Sequence, residues 1–286
     1  MPLFAVIVLF AALAPTAEAP AAEEPRPREV TLSRGGRSYK ALLFEIKDSG
    51  GIHPIYLIEP KKPDGPRRAM LLFGGGKGRV NHVRERDDGT FRLSLNFLMR
   101  IIKEIVDAGI AAVPVGMWSE LEDGTADEFR LGERNAKNMA AAVRILAARG
   151  YGEIFFAGTS RGTLDAANMA LHMKHPAVKG VIFTAVMGED EDVSALPLED
   201  IRLPVLFVHN RYDDCFVTTY EGSREMYERI KNSPRRRFVT VNAPAVAEGR
   251  ECGAISAHGF LGVEGKVARA MTDWVKGKKV PAEISE

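Results

Sequence analysis

The chain has 286 residues, 45% of them hydrophobic, which is ample for one sizeable core and bounds it to one or two domains. Its 39 basic and 38 acidic residues nearly cancel, and a formal net charge of +1 gives no electrostatic reason to expect a nucleic-acid partner. The triplet Arg235-Arg236-Arg237 reads as the solvated entrance to a strand.

The N-terminus differs in kind from the rest. Leu3–Leu13 is an almost unbroken apolar run, too short to span a membrane, and "APTAEAPAAEEPRP" follows it. This is the pattern of a secretory leader and its cleavage region. Cutting after Ala19 satisfies the small-x-small rule but leaves Pro20 next, so the expected cut is after Ala21. The leader lacks Lys or Arg before the apolar run, and the alternative is a buried N-terminal helix. The expected organisation is a signal peptide over 1–21, a flexible segment over 22–37, one domain over 38–278 and a tail over 279–286. The expected compartment is exported, periplasmic or secreted, without stable membrane insertion. Export permits Cys215 and Cys252, the only cysteines, to pair; the alternative is two buried free thiols.

Beyond residue 38, strand and helix patterns alternate. The strand candidates are 39–46, 54–59, 70–73, 111–115, 154–157, 180–184, 204–209 and 237–242, the later ones continuous apolar runs suited to burial on both faces. Leu95, Leu98, Ile101, Ile102, Ile105 and Val106 make one helical apolar face, stopped by Gly109. Ala136, Met139, Ala140, Val143 and Leu146 make another, stopped by Gly150. Further helices are expected over 162–173, 220–230 and 263–276. The alternation predicts an α/β fold: a mostly parallel central sheet with helices on both faces. No helix separates the first two strand candidates, so they should form an antiparallel edge.

Gly158-Thr159-Ser160-Arg161-Gly162 joins the strand candidate at 154–157 to the helix at 162–173. A strand-to-helix turn this tight leaves no room for Cβ atoms on either side of the serine, hence G-x-S-x-G. Ser160 then projects at the strand's carboxyl end, beside the free amides of a helix N-terminus, where developing negative charge is favoured. A serine hydroxyl needs a base, and the base an orienting acid. Asp213 and Asp214 follow the strand "LPVLFVHN", and His258 sits in a loop before the last helix. His172 and His175, spaced i, i+3, have no carboxylate partner in sequence and are not expected to bind metal; His209 ends a strand and is expected to bond locally.

With these residues in place, the sequence resembles the α/β-hydrolase family over nearly all of 38–278. The family's acid follows a strand ending in "HG", and "HN-RY-D" puts Asp213 at that position, with Asp214 the alternative. The family's histidine matches His258-Gly259. More narrowly, "GTSRGT", "D-x-C" and "C-x-A-x-S-A-H-G-F" look like a group of exported bacterial α/β-hydrolases of poorly defined substrate. The resemblance implies that a Cys215–Cys252 disulfide would pin the acid and base loops together.

An oxyanion hole needs two amide donors. One is expected at Arg161. The other is expected from Gly75 or Gly76 in "MLLFGGGKGRVNH", which is similar to the family's "HGGG" except that Phe73 replaces the histidine. The same glycines fail as a P-loop, because Gly78 follows Lys77, and as a dinucleotide fingerprint, because Arg79 stands where glycine is needed. The stretch 185–202 is too short for a multi-helix lid, so the lid is expected to be minimal. Trp118 is a candidate wall of the substrate pocket, equally readable as a rim packing residue. Arg161 could meet an anionic substrate or, preferred slightly, a nearby loop carboxylate.

The expectation is a serine hydrolase that cleaves a carboxylic ester or related acyl bond of a small molecule through Ser160, Asp213 and His258, with no cofactor and no metal. A peptidase or acyltransferase with the same three residues, or a non-catalytic binding module on the same fold, are the alternatives.

Overall fold

A computed structural model describes residues 26–76, 81–121, 127–188 and 195–286. The leader over 1–21, residues 77–80 of the glycine loop, 122–126, and 189–194 of the 185–202 stretch lie outside the described residues.

Strands β4 (Arg68–Phe73), β7 (Ala111–Pro114), β8 (Glu153–Ser160), β9 (Val178–Val186), β10 (Val205–Asn210), β11 (Arg236–Asn242) and β12 (Glu283–Ser285) form a parallel sheet in the order β12-β11-β10-β9-β8-β4-β7. Alternate residues of each strand enter different cores, as the period of two requires. Met70, Leu72, Phe155, Ile182 and Val208 pack under helices α1 (Phe97–Arg100), α2 (Ile102–Asp107) and α7 (Glu264–Val275). Leu71, Phe156, Val181, Phe183 and Phe207 pack under α4 (Glu133–Ala148), α5 (Gly162–His172) and α6 (Tyr220–Arg229). A short helix, α3 (Asp127–Leu131), precedes α4.

A second sheet of five strands runs β3-β2-β1-β6-β5. Here β1 is Arg28–Arg34, β2 Arg37–Asp48, β3 Gly51–Leu57, β5 Val83–Glu85 and β6 Phe91–Leu93. β2 and β3 are antiparallel, and bridges Ile55–Val115 and Ile58–Ala112 attach β3 antiparallel to β7, giving the expected antiparallel edge.

Four expectations change. Residues 28–34 of the segment read as flexible are β1, which buries Val30 and Leu32 and pairs along its length with β2. Residues 283–285 of the tail are β12, paired with β11. The strand candidates leave nothing between 73 and 111, yet two short strands, β5 and β6, form there. The helix expected from Leu95 is two pieces, α1 and α2, that meet at Ile101, and it starts only after Asn96, whose side chain accepts from Leu98 N at 3.0 Å. Leu95 is left outside, half exposed. Among the described residues no helix is long and apolar enough to cross a membrane.

Candidate active site

β8 ends on Ser160, which carries φ = 52°, a left-handed conformation unusual for a residue with a side chain. A Cβ on Gly158 would strike the Gly162 carbonyl, and one on Gly162 would strike the Phe73 carbonyl. The elbow therefore exists because both neighbours lack side chains. α5 begins immediately after Arg161 and shows Ser160 its N-terminal amides. The Thr163 hydroxyl secures the turn by donating to the Ser160 carbonyl at 2.6 Å.

At the end of β10 the chain turns through Asn210, whose amide donates to the carbonyls of Ala243 and Ala257 at 2.9 and 3.1 Å. That ties the acid-bearing turn to the segment carrying His258. Asp213 is buried and lies 3.0 and 3.2 Å from His258 Nδ1 through its two oxygens; Asp214, its neighbour, is exposed. Asp213 also accepts from Cys215 N at 3.1 Å and from the Thr218 hydroxyl at 3.0 Å. Burial works against ionising it, but hydrogen bonds from His209 and His258, and the charge those rings carry when protonated, outweigh that and hold the carboxyl well below the usual carboxylate range. An ionised carboxylate only accepts, so His258 Nδ1 carries the proton and Nε2 keeps a lone pair.

His209 bonds locally, as its position suggested. Its Nδ1 accepts from Val186 N at 3.2 Å, so its Nε2 carries the proton, donated to the Thr218 carbonyl at 2.8 Å. His175 is engaged by Ala177 N. His258 is set by a short turn that Ser256 caps: its hydroxyl accepts from His258 N at 3.1 Å and donates to backbone carbonyls upstream. Arg100 braces the same turn through the carbonyls of Ala254 and Gly259 and an ion pair with Glu264. The Cys215–Cys252 disulfide, Cα–Cα 4.6 Å, joins the acid turn to the loop before His258. Asp213, Cys215 and His258 group like metal ligands. However, a sulfur held in a disulfide is not a thiolate ligand, and the other two face each other.

Gly75 packs onto the elbow so closely that a Cβ there would lie 2.6 Å from Ser160 Cβ and 3.0 Å from Arg161 N. Two buried side chains fix this loop. His82 Nε2 is 2.7 Å from the Gly75 carbonyl, and Arg130 Nη1 is 3.4 Å from the Gly74 carbonyl while it pairs with buried Asp165. A carbonyl cannot donate, so His82 carries its proton on Nε2, and Nδ1 accepts from the Ser94 hydroxyl at 2.9 Å. Burial pushes the His82 imidazole down to about 4. In a trans peptide the C=O and N–H point opposite ways, so a Gly75 carbonyl held by His82 turns the Gly76 N–H away from it.

Ser160, His258, Gly75, Gly76 and the backbone of Arg161 line one cleft of about 600 Å³, rimmed by exposed Phe216 and Leu95. Small-molecule sites run to roughly 300–1,000 Å³. The Arg161 guanidinium pairs with Asp127, the preferred of its two expected roles. Trp118 requires a correction. It is buried, stacked on Phe129 at 5.1 Å with the Arg134 guanidinium 3.8 Å from its ring centroid, and it borders a separate small cavity with His53. It packs the outer edge rather than walling the cleft. His82, Thr218 and Arg130 are contributors that the sequence reading missed.

No protein-family model matches the chain, and no curated protein matches it in sequence. Solved structures do. The Pyrococcus furiosus esterase PF2001 aligns with a TM-score of 0.58 at 15% identity, covering 89% of this chain and 99% of the other. Est1E from Butyrivibrio proteoclasticus aligns with a TM-score of 0.54 at 16% identity, covering 82% and 98%. A cold-adapted esterase from an Arctic intertidal metagenomic library aligns with a TM-score of 0.52 at 17% identity, covering 73% and 86%. The chain has the α/β-hydrolase fold.

Proposed function

We propose that the protein is an exported serine hydrolase that cleaves carboxylic esters of small molecules through an acyl-enzyme. Ser160 Oγ attacks the carbonyl carbon while His258 Nε2 takes its proton; the imidazolium then gives that proton to the departing alcohol. Water, deprotonated by the same nitrogen, attacks the acyl-enzyme; the imidazolium returns that proton to Ser160 Oγ as the acyl bond breaks, releasing the acid and the free hydroxyl. Asp213 keeps the proton of the resting imidazole on Nδ1 and balances the charge that forms during each transfer. The N–H groups of Arg161 and of Gly75 or Gly76 would receive the oxyanion.

The observation that carries this reading is the buried Asp213 bonded to His258, which itself lines a cleft together with a strained serine elbow and a glycine loop. The esterase activity named for the structural neighbours agrees with it. The disulfide supports export, since such bonds persist in oxidising compartments. Ser160→Ala is expected to abolish p-nitrophenyl ester turnover and leave the thermal midpoint near that of the wild type. Turnover at the wild-type rate in that variant would refute the assignment.

A further inference from the structure

Next to the cleft lies a second hollow of about 540 Å³, walled by Arg34, Arg37, Arg84, Arg86 and Arg92 with no carboxylate in its lining. Ser94 and Leu95 line both spaces, so one wall separates them. The arginines are brought together by strand register. β5 and β6 place Arg84 directly opposite Arg92, on the face turned away from the core, and β1 adds Ser33 beside Arg92 and Ser38 beside Ser33. Like charges directly opposed on a strand pair disfavour the pairing. The turn between β1 and β2 brings Arg34 and Arg37 to the same space. Arg34 is pushed below its usual range by burial and by the charges of Arg100, Arg37 and Arg92.

Arg68, Arg100, Arg130, Arg134 and Arg161 each pair with a carboxylate, whereas among the described residues none of Arg34, Arg37, Arg84, Arg86 and Arg92 does. The nearest acid on β5, Glu85, alternates to the other face, where it acts on Tyr56. Asp88, in the turn that follows, is held by Thr90 and attracts Arg86 without forming an ion pair with it. Fold stability does not account for five guanidinium groups gathered around one hollow with no carboxylate paired to any of them. A ligand that supplies the charge does, because guanidinium forks match carboxylate, sulfate and phosphate oxygens.

We propose that this arginine-lined hollow is the subsite for an anionic group, a carboxylate, sulfate or phosphate, carried by the ester substrate. The inference rests on the hydrolase reading, and it narrows the substrate class to anionic esters whose scissile bond reaches Ser160 past Ser94 and Leu95. It also explains why the wall between the two spaces ends in an exposed leucine: that part of the path touches the uncharged stem of the substrate.

The test compares p-nitrophenyl hemiesters of succinate, adipate and suberate with neutral p-nitrophenyl esters of equal acyl length. At one or more lengths the wild type should favour the hemiester in kcat/KM. In Arg84→Gln/Arg92→Gln the hemiester-to-neutral ratio should fall about tenfold or more, mainly through KM. A charge-matched control on remote exposed arginines, Arg144→Gln/Arg269→Gln, should keep the wild-type ratio. No hemiester preference at any length, or the same loss of ratio in the control, overturns the proposal. Calorimetric titration of inorganic pyrophosphate into the Ser160→Ala protein reads the hollow independently of turnover. It should show binding that the arginine double variant weakens about tenfold. Pyrophosphate binding without hemiester preference assigns the hollow to a free anion and overturns its role as a substrate subsite. Absence of all ester turnover, with pyrophosphate binding intact, would instead strike the hydrolase reading.

Discussion

His82 Nε2 lies 2.7 Å from the carbonyl oxygen of Gly75, in the loop that packs against Ser160. Sequence alone puts phenylalanine where the related glycine loops carry a histidine; the structure brings a histidine to the loop from β5's approach instead. His82 is a positioning residue: it touches no substrate atom in the proposed reaction, but it sets which way the Gly75–Gly76 peptide faces.

His82→Ala should therefore lower kcat by about tenfold to a hundredfold with little change in KM, because an oxyanion donor acts mainly in the transition state. His82→Gln, which can still donate near the Nε2 position, should recover most of that loss. Equal loss of stability and activity in both variants would reduce His82 to a packing residue.

Two buried histidines make a prediction about acid. Burial pushes His53 and His82 each from 6.5 down to about 4. Between those values the unfolded chain takes up protons that the folded chain refuses, so stability falls as pH drops through that window and is regained as pH rises. Below about 4 these two groups add no further slope. Denaturant unfolding at pH 7.5 and 4.5 should show the loss, and His53→Phe should show a smaller one. Equal stability at both pH values would contradict the burial argument.

The disulfide closes a separation of 37 residues, and the chain-entropy account puts its contribution at about 4 kcal/mol. Cys215→Ala/Cys252→Ala should lower the thermal midpoint by roughly 10 °C. It should also slow ester turnover, since the bond links the loops of Asp213 and His258. An unchanged midpoint with unchanged turnover would show that Asn210, Ser256 and Arg100 hold these loops without it.

Local chemistry explains what was legible in the sequence. Gly158 and Gly162 flag a turn that only glycine permits, and strand-helix alternation fixed the layer order. The order of Ser160, Asp213 and His258 along the chain then placed them at carboxyl ends of one sheet. Asp213 was preferred over Asp214 by position, and burial separates them: one inside against His258, the other in solvent. What escaped was decided by contacts distant in sequence. Strands β5 and β6 are three residues each in a charged stretch, so no periodicity could announce them, and with them went His82 and the arginine face. β1 alternates polar and apolar residues, but with only Val30 and Leu32 apolar its pattern is too short to stand out. Trp118 follows a strand as a pocket residue would, yet Phe129 and Arg134 claim its ring.

The proposed reaction requires Ser160 to become covalently acylated. The most direct measurement is labelling of the folded, disulfide-intact protein with a fluorophosphonate probe, followed by peptide mass spectrometry. A single adduct on Ser160, lost in Ser160→Ala and greatly slowed in His258→Ala, is the predicted result. An unlabelled Ser160 in protein that turns over esters would contradict it.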